Sequence, residues 1–291
     1  MQAFDYVAPK SLSEAVSLLE QKGERARVLS GGTDLIVQVR ENRRDVDLIV
    51  DGKKIAELME LSFDPQSGLT LGACVPCVRF YEDAQISQLY PGLNDAAQLI
   101  GGTQIQNRAS FGGNLCNSSP AADSIPALIA HSAVCLIAGS GGTHTVAVED
   151  FCTAPGRNVL GPKELLVSFH VPPPPRNFGA HYLRFIPRNE MDIAVVGCGA
   201  SLEMESDLRT VKKARVSLGA VAPTPLLVAE AAAALEGREL DDSAIEQAAA
   251  AARAAARPIT DMRGTEEYRV HLAGVLTRRA LEKSLERAKE D

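Results

Sequence analysis

The hydrophobic and polar positions of the chain follow patterns that predict both helices and strands. In SLSEAVSLLE the apolar residues fall at positions 12, 15, 16 and 19, the spacing of an amphipathic helix, and Ser11 or Ser13 can cap it. LNDAAQLI (93–100) and IPALIAHS predict further helices. Short apolar runs that end on glycine or proline predict strands instead. These runs are RVLSGG, VDLIVDG, GLTLGACV, ELLVSFHV and the two halves of AVCLIAGSGGTHTVAVEDF, which a glycine-rich hairpin joins.

Four consecutive prolines, Pro172 to Pro175, mark the best linker in the chain, because proline cannot continue a central strand. Beyond them HYLRF, IAVVGCGASLEM and ARVSLGAV predict three strands. Alanine-rich helices are expected at 228–236 and 242–256, and a charged helix at 268–288. The pattern indicates an α+β chain whose first domain covers residues 1–175, with subdomains of about 1–56 and 57–175, and whose C-terminal domain covers 176–291.

Composition excludes several classes of function. The 291 residues are 45% hydrophobic, carry a net charge of −7 and include only 4% aromatic residues. A basic groove for nucleic acid is therefore not expected, and no apolar run reaches membrane-spanning length. Asp5 stands where a signal peptide would have its charged and apolar regions, so we expect a cytoplasmic protein.

The cysteines and histidines suggest no metal site and no catalytic triad. Only Cys74 and Cys77 form a C-x-x-C pair, which lies in the strand-like run LTLGACVPCV without a second pair at zinc-site spacing. The other four cysteines are scattered, and so are the five histidines. We expect the thiols to be buried small hydrophobic groups. The sequence therefore predicts no bound metal and no catalytic residue in this chain.

Two glycine doublets carry the strongest signal for a ligand. Gly31-Gly32 lies in LSGGTDL and Gly112-Gly113 lies in ASFGGNL, each beside hydroxyl or amide side chains. Glycine permits positive φ and close approach of the backbone, so successive N–H groups can converge on a diphosphate. Asp123, in the stretch that follows, suits a carboxylate that accepts hydrogen bonds from sugar or ribityl hydroxyls. Ordinary turns at strand ends would explain either doublet taken singly.

Five segments together resemble a known family. LSGGTDL, TQIQNRASFGGNLCNSSPAADSIPAL, GPKELLVSFHVP, RFIPRNEMDIAVV and ARPITDMRGTEEYRVHLAGVLTRRAL occur in this order. They are similar to segments of the FAD-binding medium subunit of the molybdenum hydroxylases, which include xanthine dehydrogenase and aerobic carbon monoxide dehydrogenase. The resemblance implies a two-subdomain FAD-binding region of the vanillyl-alcohol-oxidase-like type. A C-terminal α+β domain with a three-stranded antiparallel sheet and helices would follow it.

The resemblance also implies which residues contact the cofactor. Residues 28–35 and 110–114 match loops around the FAD diphosphate, Asp123 matches a carboxylate near the cofactor's hydroxyls, and Arg184 falls where relatives often have a lysine close to the flavin. The expected FAD-binding residues are Val28, Leu29, Ser30, Gly31, Gly32, Thr33, Asp34, Leu35, Ile100, Ser110, Phe111, Gly112, Gly113, Asn114, Asn117, Asp123, Leu166 and Arg184.

By this resemblance the chain is an electron-transfer subunit of an oxidoreductase. Noncovalent FAD would take electrons from the [2Fe-2S] clusters of a small subunit and pass them to an external acceptor. A large subunit would carry the molybdenum cofactor, and the complex would be a dimer of heterotrimers. The alternative is a stand-alone FAD-dependent reductase similar to UDP-N-acetylenolpyruvoylglucosamine reductase, which needs phosphate-binding arginines in its last domain. The arginines near the end of this chain are spaced like a helix surface instead.

Overall fold

A small parallel sheet opens the chain. The computed structural model describes residues 2–188 and 191–290, so Asn189 and Glu190 of the RFIPRNEMDIAVV segment lie outside it. The strands are β1 (Asp5–Val7), β2 (Ala26–Leu29) and β3 (Leu48–Asp51), and the helices between them are α1 (Leu12–Lys22) and α2 (Leu35–Arg40). β3 lies between the other two strands and is parallel to both. The predicted helix α1 is confirmed, and Ser11 caps it by accepting from the Glu14 amide.

A larger antiparallel sheet follows, in the order β4-β5-β10-β6-β7 within the described chain. Its strands are β4 (Leu61–Asp64), β5 (Gly68–Gly72), β6 (Val134–Gly139), β7 (Gly142–Ala147) and β10 (Leu165–Val171). A short hairpin of β8 (Cys152–Ala154) and β9 (Arg157–Asn158) precedes β10. The predicted hairpin of β6 and β7 is confirmed. Leu165 and Val167 of β10 pack with Val50 of β3, so one apolar core joins the two sheets.

Six short helices connect β5 to β6 in the described chain. They are α3 (Cys77–Glu82), α4 (Ala84–Leu89), α5 (Pro91–Leu99), α6 (Thr103–Gln106), α7 (Phe111–Asn117) and α8 (Ser124–Ala130). The predicted helices at 93–100 and after Ser124 are confirmed, with α5 beginning at Pro91. Cys77, which the sequence placed in a strand-like run, begins helix α3 instead, because Pro76 ends the extended segment and stands at the cap of that helix.

The family resemblance placed the second glycine doublet in a loop. In the structure the doublet lies in the first turn of α7 instead. The side chain of Ser110 caps this helix by accepting from the Gly113 amide at 2.9 Å. Glycine is a poor helix former in isolation, so propensity alone predicted no helix here. Leu115 and Phe111 point into the core and stabilise α7 by packing.

After the prolines comes a second antiparallel sheet with three helices, within the described residues. The strands are β11 (Phe178–Phe185), β12 (Val196–Met204), β13 (Val211–Gly219) and β14 (Leu226–Leu227), and the helices are α9 (Ala229–Ala233), α10 (Asp242–Ala255) and α11 (Glu266–Ala288). The sequence predicted three strands, but the sheet has a fourth, β14. Two residues are too short to produce an alternating pattern, so β14 could not be recognised.

Ion pairs with the same arrangement of charges hold together the two halves of the chain, residues 2–171 and 178–290. Each pair places the carboxylate in the first half and the arginine in the second. Their N–O distances are all 2.6 Å, and the pairs are Asp95 with Arg287, Asp123 with Arg184, and Glu149 with Arg215. Gly199 of β12 packs directly on α8, because a Cβ there would lie 2.5 Å from the Pro126 carbonyl oxygen. The halves therefore form a close, charge-matched contact.

Candidate cofactor cleft

A cleft of about 730 Å³ lies between the small parallel sheet and the larger antiparallel sheet. All of its lining residues lie between Leu19 and Leu166, so the C-terminal half does not contribute to it. Fourteen of the expected FAD-binding residues line this cleft. They are Val28, Ser30, Gly31, Gly32, Thr33, Asp34, Leu35, Ile100, Ser110, Gly112, Gly113, Asn114, Asn117 and Leu166. The structure thus brings together segments that are separated by up to 138 residues in the chain (28 to 166).

The two glycine segments meet at the cleft wall through a chain of hydroxyl groups. Ser30 Oγ lies 2.7 Å from Ser110 Oγ, and Ser110 Oγ lies 2.7 Å from the carbonyl oxygen of Ala73. Since the Ala73 carbonyl oxygen can only accept, Ser110 donates its single proton to it, and Ser110 Oγ accepts from the Gly113 amide and from the Ser30 hydroxyl. One buried side chain therefore fixes both segments relative to β5.

Three of the four glycines are required by the protein's own backbone. A Cβ on Gly31 would lie 2.0 Å from the Arg108 carbonyl oxygen, and one on Gly112 would lie 2.4 Å from that of Ala73. Gly32 has a φ of 80°, which glycine adopts without strain. Positive φ was expected of both doublets, but it occurs at Gly32 and not at the helical residues Gly112 and Gly113.

Gly113 is the glycine that the protein itself constrains least. A Cβ there would lie 3.2 Å from Ser110 Oγ and 3.8 Å from Ser30 Cβ, without the backbone overlap found at Gly31 and Gly112. It would cover the pair of hydroxyls at the point where the two segments meet. The missing side chain leaves this part of the cleft wall open to a ligand.

Four of the expected residues do not line the cleft. Leu29 and Phe111 are buried in apolar cores, and the Phe111 ring lies 5.2 Å from that of Phe80. Asp123 and Arg184 are buried and pair with each other: Arg184 Nη1 donates to Asp123 Oδ2 at 2.6 Å. The hydroxyl of Tyr182 donates to the other carboxylate oxygen at 2.8 Å.

The Asp123 cluster is coupled to the cleft through helix α7. Asn114, which lines the cleft, accepts from the amide and hydroxyl of Ser124, the residue after Asp123. Burial raises the pKa of Asp123 to about 6, although the charge of Arg184 and the hydrogen bonds from Tyr182 and Arg184 lower it. Sequence reasoning missed Tyr182, because β11 reads as an ordinary strand and nothing in it indicates a partner 59 residues away.

Sequence reasoning also missed a group of polar side chains in the cleft wall, Arg27, Gln38 and Arg44, which we call the polar lobe. Arg44 donates through Nε to Gln38 Oε1 at 2.6 Å, and Gln38 donates to Asn117 Oδ1 at 3.0 Å. Burial lowers the pKa of Arg27. The positive charge of nearby Arg44 lowers it further. The buried Nε of Arg27 has no hydrogen-bond partner among the described residues. An arginine inside the apolar strand RVLSGG was the available signal.

Two thiols in the cleft wall have raised pKa values. Cys74 and Cys116 both contribute to its wall. Burial raises the pKa of the Cys74 thiol to about 11 and that of Cys116 to about 12. Since the thiolate is the reactive form, the raised pKa values favour packing over a nucleophilic role for both residues.

The fold and the cleft define a class of protein. A cleft of this size, lined both by amide and hydroxyl groups and by apolar residues such as Ile100 and Leu166, suits a cofactor with a phosphate group and an aromatic ring system. Residues 2–174 match the family described as FAD binding domain in molybdopterin dehydrogenase, and residues 181–284 match the CO dehydrogenase flavoprotein C-terminal domain. The chain belongs to this family of flavoprotein subunits.

Individual relatives match along nearly their whole length. The carbon monoxide dehydrogenase medium chain of Afipia carboxidovorans is 33% identical over 288 residues, which cover 99% of this chain and 98% of the relative. The xanthine dehydrogenase FAD-binding subunit of Escherichia coli O157:H7 is 29% identical over 96% of this chain and 95% of its own length. These matches do not favour the alternative of a stand-alone reductase.

Solved structures agree with the same family. A chain of the Cu,Mo-CO dehydrogenase in its cyanide-inactivated form superimposes with a TM-score of 0.93 at 31% identity, covering 98% of this chain and 99% of that chain. A chain of quinoline 2-oxidoreductase from Pseudomonas putida 86 gives a TM-score of 0.90 at 28% identity, covering 99% and 98%. None of the helices in the described residues is long and apolar enough to cross a membrane.

Proposed function

We propose that this chain binds FAD noncovalently in the cleft and is the electron-transfer subunit of a molybdenum hydroxylase complex. The observation that carries the proposal is the junction of the two glycine segments, where Ser30 and Ser110 join on one wall of a cleft of about 730 Å³. The residues around this junction are those that the family resemblance assigns to the cofactor.

The side chains present fit FAD. Gly113 leaves space above the paired hydroxyls, and the neighbouring Thr33, Asn114 and Asn117 supply polar groups within the same wall. A diphosphate can be bound there by amide and hydroxyl donors, which explains how an acidic protein holds an anion without a basic patch. The apolar wall around Ile100 and Leu166 suits the isoalloxazine ring. Arg27 and Arg44 add positive charge in the polar lobe.

The Asp123 cluster would tune the bound cofactor from behind the cleft wall. FAD, when bound, accepts two electrons and delivers them onward, so its reduced form carries added negative charge. The resemblance assigns Asp123 to the cofactor's hydroxyls and Arg184 to the neighbourhood of the flavin. A buried guanidinium favours negative charge nearby, and its pairing with Asp123 moderates that effect. Tyr182 keeps the carboxylate in one orientation.

The other components of the reaction would belong to partner chains. A large subunit would carry the molybdenum cofactor and hydroxylate the substrate, and a small subunit with [2Fe-2S] clusters would supply the electrons. An external acceptor would receive them. Relatives include the 6-hydroxypseudooxynicotine dehydrogenase complex subunit alpha of Paenarthrobacter nicotinovorans, a component of a complex by its own description. A dimer of heterotrimers, a cytoplasmic location and a domain division at residues 172–175 complete the proposal.

Purification of the chain alone tests the proposal. The expected product is yellow, shows an FAD spectrum and has no hydroxylase activity towards aldehydes, purines, N-heterocycles or carbon monoxide. Acid precipitation should release the colour into the supernatant, because the raised pKa values of Cys74 and Cys116 disfavour their attack on the flavin. Activity should appear only after both partner subunits are added. A chain that turns over an organic substrate alone would support the stand-alone reductase instead.

A further inference from the structure

Lys53 contacts the first glycine segment, residues 28–35, from outside the cleft. It lies in the short turn Gly52–Lys54, directly after strand β3. Its ammonium group donates to the carbonyl oxygen of Ser30 at 2.9 Å and to Asp51 Oδ1 at 2.7 Å. The side chain is 27% exposed and does not line the cleft. The cation therefore contacts the segment from outside the cleft.

The ammonium group is held in place by a buried carboxylate. Asp51 is 6% exposed, and both its oxygens are engaged. Oδ1 accepts from the Lys53 amide at 3.0 Å and from the Lys53 ammonium, while Oδ2 accepts from the hydroxyl of Tyr6. Burial raises the pKa of Asp51, but hydrogen bonds from Lys53 and Tyr6 outweigh burial and lower it. Asp51 is therefore ionised at neutral pH and anchors Lys53.

The planarity of the peptide bond connects Lys53 to the cleft. In a trans peptide the C=O of Ser30 and the N–H of Gly31 point in opposite directions. The Ser30 carbonyl points to Lys53, so the Gly31 N–H points away from it, and Gly31 lines the cleft. No acceptor for this N–H occurs among the described residues. The hydrogen bond behind the segment thus orients a free donor in front of it.

We infer that Lys53 is a positioning residue for anion binding: it fixes the Ser30–Gly31 peptide so that the Gly31 N–H donates to the ligand's diphosphate. An ordinary surface ion pair would contribute little to stability and nothing to ligand binding. What distinguishes this pair is the bond from its ammonium to a backbone carbonyl of the cleft wall. The inference rests on the proposed function, because it takes FAD as the ligand.

Lys54 offers a matched control for charge. It is the next residue, it is exposed, and no hydrogen bond or ion pair involves its side chain among the described residues. Lys53→Met and Lys54→Met each remove one positive charge at nearly the same place. Only the first removes the hydrogen bond to Ser30. A long-range charge effect would weaken FAD binding in both variants and would fade at high salt, whereas loss of positioning persists.

The test is an FAD titration of the FAD-free full-length chain, followed by flavin fluorescence at low and high salt. Lys53→Met should raise the Kd for FAD about tenfold at both salt concentrations, the range expected for a mispositioned charge-assisted hydrogen bond. Lys54→Met should bind like the wild type at high salt, and Lys53→Arg should recover most of the affinity. Equal affinity of Lys53→Met and the wild type would overturn the inference, and so would equal losses in the two Met variants.

Two further outcomes of the titration have a different meaning. If the wild-type chain does not bind FAD, the proposed function fails rather than the role of Lys53. If Lys53→Met does not fold, Tyr6→Phe replaces it, since Tyr6 is 56% exposed and its hydroxyl donates to Asp51 Oδ2, whereas Lys53 donates to Oδ1. Tyr6→Phe should weaken FAD binding about threefold at both salt concentrations, the scale of one weakened hydrogen bond. Wild-type affinity in that variant would then overturn the inference.

Discussion

Ser30 Oγ and Ser110 Oγ lie 2.7 Å apart, although 80 residues separate them in the chain. This contact joins a segment of the parallel sheet to the first turn of α7. Ser110 is 2% exposed and also bonds to Ala73 and Gly113, so its hydroxyl is the common point of three structural elements. The relative position of the two glycine segments depends on this one oxygen.

Ser110→Ala should therefore lower the stability of the chain as well as its affinity for FAD. The change removes a helix cap and leaves the Gly113 amide without its acceptor, so we expect a loss of about 1 to 2 kcal/mol in the free energy of unfolding. Urea denaturation measures it. Ser62→Ala is the matched control, because Ser62 is exposed and its hydroxyl bonds, among the described residues, only to the nearby Glu60 side chain. Equal stability of the two variants would show that Ser110 does not hold the junction.

Gly113→Ala separates ligand binding from folding. Alanine favours a helix over glycine by up to about 1 kcal/mol, and its nearest contact would be Ser110 Oγ at 3.2 Å, so stability should change by less than about 1 kcal/mol. The methyl group would nevertheless occupy the wall on which we place the diphosphate. We expect the Kd for FAD, measured by titration, to rise about tenfold, equivalent to about 1.4 kcal/mol.

Two other glycines provide the controls for that experiment. Gly141→Ala should change neither property, because a Cβ at Gly141 meets no atom within 4 Å. Gly112→Ala should destabilise the fold itself, since its Cβ would overlap the Ala73 backbone. Unchanged FAD affinity in Gly113→Ala would remove the diphosphate from this wall.

The extent to which the sequence predicted the site can be explained residue by residue. The segment 28–35 was recognisable because a strand that ends on two glycines has a local signature. Helix α7 was not recognised, because its first turn contains the glycine pair and it is stabilised by burial of Phe111 and Leu115, which local propensity does not include. The resemblance identified Asp123 and Arg184 but not their mutual ion pair, which depends on tertiary packing across 61 residues. Lys53 gave no signal, since a lysine pair after a strand is typical of an exposed turn.

Arg287 is expected to hold the two halves of the chain together. It donates to both oxygens of Asp95 at 2.6 and 2.9 Å and to the carbonyl oxygen of Ala180. Burial raises the pKa of Asp95, but hydrogen bonds from Arg287 and His181 outweigh it and lower the pKa to about 2. Arg287→Met would leave a partly buried carboxylate without its main partner, so the free energy of unfolding should fall by about 2 kcal/mol.

The control for this prediction lies on the same helix. Arg279 is exposed and makes no ion pair within the described residues, so Arg279→Met removes the same charge without the contact. Urea denaturation of both variants at neutral pH gives the comparison. Similar stability of Arg287→Met and Arg279→Met would mean that the ion pair does not contribute to the contact between the halves.

Asp123 should make stability depend on pH in the direction opposite to most carboxylates. Burial raises its pKa from 3.8 to about 6, so the folded state binds the proton more tightly than the unfolded state. Its contribution to stability is then fully present below pH 3.8 and is lost as pH rises through about 6. Since asparagine does not titrate, the free energy of unfolding of the wild type minus that of Asp123→Asn should be larger at pH 4.5 than at pH 7.5.

Asp64 supplies the opposite case for the same measurement. Backbone N–H groups of Ser67 and Gln66 lower the pKa of this exposed turn carboxylate, so its contribution is present above its ordinary pKa and is lost as pH falls. The difference between the wild type and Asp64→Asn should therefore stay nearly constant between pH 7.5 and pH 4.5 and shrink only below pH 3.8. Urea denaturation of the three proteins at both pH values decides the matter. If the Asp123→Asn difference followed the Asp64→Asn difference, Asp123 would have a lowered pKa, and Arg184 rather than burial would control its charge.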